Sequence, residues 1–146
     1  MKINFNEIDS NELILLIVPS EKVDEINKDI LEYFINKKEA VCIYTTFTKP
    51  YNVVFKNLKK DKINTSKIFF IDCATPVSNS TEISENNRVI FCQPQSLTNI
   101  SIAITTALKN MPAEKNRVLI LDTITTLMLY NTQNNVIKFI HNISGE

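Results

Sequence analysis

Residues 117–131 read RVLILDTITTLMLYN. An apolar run closes on an acid, Asp122, and a hydroxyl, Thr123; a second apolar stretch at helical spacing then ends on Tyr130 and Asn131. The first run is continuous in Val, Leu and Ile rather than alternating, the pattern of a parallel strand covered on both faces. Four more runs of this kind lie at residues 13–18, 40–44, 67–72 and 88–92.

Between the runs lie amphipathic segments with helical periodicity. Residues 21–36 place Val23, Ile26, Ile30 and Tyr33 or Phe34 on one side; residues 50–60 place Val53, Val54 and Leu58; residues 96–109 place Leu97, Ile100, Ile104, Ala107 and Leu108. A last helix is expected over residues 134–143, with Val136, Ile137 and Ile140 as its apolar stripe. Strand and helix alternate, so the sequence predicts an α/β three-layer α/β/α sandwich with a mainly parallel sheet of about five strands. The polar stretch 74–87, rich in Ser, Asn and Thr, is expected to be a mobile loop. In such sheets ligands bind beyond the carboxyl ends of the strands. Those ends are Pro19 and Ser20, Thr45 to Phe47, Asp72 and Cys73, Gln93, and Asp122 with Thr123.

At 146 residues the chain is expected to be a single domain, 1–146, without an interdomain linker. Sixteen Lys and Arg balance sixteen Asp and Glu, so overall charge predicts no non-specific nucleic-acid binding. Arg88 and Arg117 are the only arginines, which leaves few bidentate readers of phosphates or bases. Cys42, Cys73 and Cys92 are odd in number and sit in or beside apolar runs, as inert thiols in a reducing compartment do. No signal peptide or membrane-length apolar stretch is legible, and a cytoplasmic location is expected.

Glycine occurs once, at Gly145. No G-x-x-x-x-G-K-[ST] and no G-x-G-x-x-G can be written, which removes the loops that wrap a pyrophosphate.

Taken together, residues 117–131 resemble the Walker B strand of RecA-like ATPases, specifically of the KaiC-like branch. CIYTTFTKPY at 42–51 resembles that family's second strand and turn, KIFFID at 67–72 its third strand, and LTNISIAITTAL at 97–108 the helix before Walker B. The resemblance covers nearly the whole chain. It implies a P-loop NTPase fold with a nucleotide site at Pro19, Ser20, Lys22, Thr45, Thr46, Asp122 and Thr123. It also implies that family members continue with further strands, so that a sheet edge is expected here either to pair with a protein partner or a second copy, or to be covered by the polar chain end.

The departures are local. ILLIVPSEKVDEINKDIL at 14–31 runs from the first predicted strand straight to a helix start, with Ser20 as the expected N-cap and Glu21, Asp24 and Glu25 in the first turns. Those acids suit the positive end of a helix and repel a polyphosphate. Thr45, Thr46, Phe47 and Thr48 stand where the family usually carries a glutamate that activates water, and a hydroxyl is no general base at neutral pH. ATP and magnesium binding are therefore not expected, and the reading is a degenerate, non-catalytic domain with a regulatory or scaffolding role. The alternative is a residual nucleotide binder or hydrolase using Asp122, Thr123, Asp72 and Thr45 without a phosphate loop.

Asp72 at the end of KIFFID suggests a receiver-like acceptor, but the acids needed after the first strand are missing. His141 has no catalytic companion at a legible spacing. Lys56, Lys59, Lys60, Lys62 and Lys67 form a basic cluster that suits either a solvated helix face or a nucleic-acid patch, with solvation favoured.

Overall fold

The computed structural model describes residues 3–9, 12–78, 81–84 and 88–145. Among the described residues five strands form one sheet: β1 Val41–Thr46, β2 Ile68–Asp72, β3 Thr81–Ile83, β4 Val89–Cys92 and β5 Arg117–Leu121. Their order is β3-β4-β2-β1-β5. All pairings are parallel except β3 with β4. The chain is thus α/β, with a mostly parallel sheet.

Alternation along β1 feeds two cores. Val41 and Ile43 point to one face, with Ile71, Cys73, Ile90 and Cys92; Cys42 and Tyr44 point to the other, with Ile68, Phe70 and Val89. On the first face lie α3 Leu97–Lys109, α4 Thr125–Tyr130 and α5 Gln133–Ser144, burying Ile100, Ala103, Ile104, Ala107, Leu127, Val136 and Phe139. On the second lie α1 Val23–Leu31, which continues as a π-helical stretch Glu32–Lys37, and α2 Tyr51–Lys60; they bury Leu31, Ile35, Val54 and Leu58. Both faces of β1 are covered, and all six of its residues are buried.

Local chemistry sets the helix ends. Ser96 caps α3 by accepting the Asn99 N–H at 3.3 Å, and Thr132 caps α5 by accepting that of Asn135 at 3.3 Å. Gly145 closes α5 in the left-handed conformation at φ 78°. With no other glycine available, Glu39 (φ 54°) and Lys62 (φ 60°) take left-handed backbone after the π-helical stretch and after α2. The buried stripe of α5 is Val136 and Phe139, flanked by Ile140 and Ile143, whereas Ile137 is exposed.

Two sequence expectations are corrected. Residues 13–18 are not a strand: the segment makes no ladder, and Leu13, Ile14, Leu15 and Ile17 are exposed. An apolar β-branched run favours extended backbone, but a strand exists only where another strand supplies its hydrogen bonds. The polar stretch 74–87 is also not loop throughout, because Thr81–Ile83 forms β3 in antiparallel register with β4, Glu82 opposite Phe91. The hairpin closes through the Ser84 N–H on the Val89 carbonyl at 2.8 Å. Residues 79, 80 and 85–87 of that stretch lie outside the described residues.

Candidate functional site

The carboxyl ends of β2, β1 and β5 bring Asp72, Thr46 and Asp122 to one level. Thr46 pairs with Asp72 across β1 and β2, and Asp122 follows Leu121, the partner of Thr45 across β1 and β5. The two carboxylates flank the same strand end but have different surroundings.

Asp72 is fully buried and accepts four hydrogen bonds. Its Oδ1 takes the N–H groups of Ala74 and Thr75, both at 2.8 Å, and its Oδ2 takes the Tyr51 N–H at 2.9 Å and the Thr75 hydroxyl at 2.6 Å. Tyr51 opens α2, whose flanking Pro50 provides no side-chain cap. Asp72 therefore caps a helix from a strand 21 residues away and folds the turn after β2 around itself. With its acceptor positions filled, it is poorly placed to serve as a phosphoryl acceptor.

Asp122 accepts the Phe47 N–H at 3.0 Å. Burial pushes its carboxyl up to about 6, against the pull of that amide. The Thr46 hydroxyl is engaged in its own turn, donating to the Lys49 carbonyl at 2.7 Å. Thr45, also fully buried, leaves its Oγ1 without a partner among the described residues.

Asp122 lines a cleft of about 220 Å³ between α1 and α2, with Asp24, Asn27, Tyr44 and Lys49 around it. Lys49 pairs with Asp24, and Lys28 with Asp61 at 3.1 Å. Asn27 donates to the Tyr44 hydroxyl at 3.1 Å, and burial pushes the Tyr44 phenol up. The cleft thus holds two ion pairs and Lys60, which makes no ion pair among the described residues, with one half-buried carboxyl of raised pKa beside them. A carboxyl raised in this way can hold or release a proton near pH 6.

The start of α1 differs from the sequence expectation in one respect. Pro19 leads directly into a 3-10 turn Ser20–Lys22, closed by the Lys22 N–H on the Pro19 carbonyl at 2.9 Å. Ser20 is the first residue of that turn and makes no side-chain cap, because the turn begins one residue earlier than a Ser-capped helix would. Lys22 pairs with Glu25 at 2.9 Å, which lowers the pKa of Glu25. The lysine side chain is thus held along its own helix rather than over the strand ends. Thr123 follows Asp122 half-buried, before α4.

The remaining candidates do not join this site. Cys73 and Cys92 sit at the ends of neighbouring strands and hydrogen bond through their thiols; that bond and burial push Cys73 up, and burial alone does so for Cys42. All three are buried free thiols, which suits packing rather than reactivity. His141 is exposed near the end of α5, where its backbone carbonyl accepts the Gly145 N–H. Lys56, Lys59, Lys60 and Lys62 are exposed on and after α2; Lys59 lies over the Phe55 ring at 4.9 Å, and Lys60 borders the cleft. Among the described residues, no group of three or more His, Cys, Asp and Glu is placed to hold a metal ion, and no helix is long and apolar enough to cross a membrane.

Lys49, Asn27 and Tyr44 were not singled out from the sequence. Lys49 carried a signal, being the charged residue between the strand-end stretch TTFT and Pro50; Asn27 and Tyr44 meet only through the packing of α1 on β1. Comparison with protein-family models, with curated proteins and with solved structures gives no match for this chain.

Proposed function

We propose that the chain is a RecA-like domain of the KaiC-like type, degenerate at its nucleotide site, that serves as a non-catalytic protein-interaction module. The observation that carries the loss of nucleotide chemistry is the Pro19 turn. Where a phosphate loop needs a wide cradle of backbone amides, this chain makes a tight 3-10 turn whose lysine is paired to Glu25. Asp24, in the first turn of α1, adds a negative charge beside the cleft. The family relation rests on the quoted motifs and their order along an α/β chain.

The rival reading, a residual nucleotide binder or hydrolase, draws on Asp122, whose raised pKa and position in the cleft suit proton transfer. Thermal unfolding with ATP, ADP or GTP, with and without magnesium, separates the two. The interaction-module reading expects no shift. A ligand at a hundred times its dissociation constant adds about 2.7 kcal/mol, so a clear rise in Tm with any nucleotide favours the rival.

A further inference from the structure

Among the described residues, two apolar stretches carry backbone groups without hydrogen-bonding partners. The first is the outer edge of β5. The Asp122 N–H donates to the Thr45 carbonyl at 3.1 Å and the Asn116 carbonyl accepts the Val41 N–H at 2.9 Å, so Asn116, Val118, Ile120 and Asp122 direct their backbone groups toward β1. In a parallel strand the alternate residues then present theirs to the other side, and Arg117, Leu119 and Leu121 face outward from the last strand of the sheet. The edge carries one charge, Arg117, and neither a lysine nor a proline that would discourage pairing.

The second is the segment 12–18. It runs ELILLIV outside any helix or ladder, and among the described residues its backbone makes no hydrogen bond. Leu15 is 70% exposed and Ile17 89%. The segment is tied at both ends. Before it, Phe5 stacks on Tyr33 at 4.8 Å and meets Phe34 edge-on; after it, Pro19 turns into Ser20–Lys22. Between those ties it behaves as a strap that offers a strand's worth of unpaired amides and carbonyls.

We propose that the strap of one copy pairs with the outer edge of β5 in a second copy, giving a reciprocal dimer in which each sheet gains a sixth strand. Every copy carries both halves of the contact, which is the requirement for a closed two-fold assembly. The lengths match, six apolar residues in the strap against five residues in β5. The zero net charge opposes no approach of two copies. A strap held at both ends of its own subunit, without pairing to its own β5, leaves both surfaces available to another copy. The inference rests on the interaction-module reading and names its partner.

Amide hydrogen exchange and solution mass test it together. The Val118 and Ile120 amides bond to β1 in every case and serve as internal controls, whereas those of Leu119 and Leu121 are shielded only by an added strand. The expected result is a species of twice the chain mass, with exchange at Leu119 and Leu121 slowed roughly tenfold or more as dimer forms. Leu15→Pro removes an amide from a segment whose backbone bonds to nothing among the described residues of its own subunit, so it is expected to leave the Tm of the dilute monomer nearly unchanged while abolishing both dimer and protection. Slow exchange at Leu119 and Leu121 in a dilute monomer means that the chain's own strap closes the edge, and overturns the proposal. So does fast exchange at every concentration, or a dimer indifferent to Leu15→Pro. These outcomes leave the interaction-module reading standing with another partner, whereas nucleotide binding removes that reading and leaves the strand pairing to be judged on its own.

Discussion

Asp72 and Asp122 occupy equivalent places, one strand to either side of β1 and level with Thr46, but the protein treats them differently. Asp72 collects three backbone N–H groups and a hydroxyl. Asp122 has the Phe47 amide, with the Thr46 hydroxyl and the Thr123 amide also favouring its ion, and a cleft. Asp72 is fully buried and Asp122 half-buried, and the more buried carboxyl is the better satisfied one. A carboxyl that gives up water for too few donors, as Asp122 does, is driven toward its neutral form. Asp72 is consequently a structural hub, and Asp122 is the group whose protonation state the fold leaves adjustable.

Removing the hub tests the contrast most severely. Asp72→Ala strips the partner from the first amide of α2 and from both amides of the turn after β2, and each orphaned buried donor costs about 1–3 kcal/mol. The expected loss is about 3–5 kcal/mol by urea unfolding, and a loss below about 1 kcal/mol would show that water replaces the carboxylate.

Asp122 should respond in the opposite direction. Its native pKa of about 6 stands above the 3.8 of the unfolded chain, so between those values the folded state holds more protons. Stability then falls as pH rises through roughly 4 to 6, and the deficit is complete above pH 6, at up to about 3 kcal/mol. Asp122→Asn keeps an oxygen for the Phe47 N–H and removes the charge. It is expected to add about 1–3 kcal/mol at pH 7 and nothing below pH 4, and a variant stabilised equally at both pH values would deny Asp122 its titration.

The smallest effect sits between them. Thr45 is as buried as Asp72 but its hydroxyl has no partner among the described residues. Replacing an unpaired buried hydroxyl by a methyl is neutral or stabilising, so Thr45→Val should raise stability by about 1 kcal/mol. A drop in Tm would reveal a bridging water, and with it a polar contact that extends the site onto the other face of the sheet.

The core strands and most helices were legible because their signals are local. The runs that became β1, β2, β4 and β5 are continuous in apolar residues, and α3 shows its stripe at Ile100, Ala103, Ile104 and Ala107. What escaped was non-local. Residues 13–18 have a strand's composition, but no composition states whether an edge will accept them. The three residues of β3 are too few for periodicity to declare. The role of Asp72 depends on a helix start 21 positions away, and the pairing of Lys49 with Asp24 spans 25. Both follow from how α1 and α2 settle on the sheet, not from any spacing in the chain.

The left-handed backbone at Glu39 has a consequence in genetics rather than in structure. A glutamate codon becomes a glycine codon by a single base change, and glycine adopts a φ of 54° without the steric penalty that a Cβ brings there. The chain therefore lies one point mutation from a relaxed junction between its first helix and β1, a short route by which selection for stability can act on a sequence that uses glycine only at position 145.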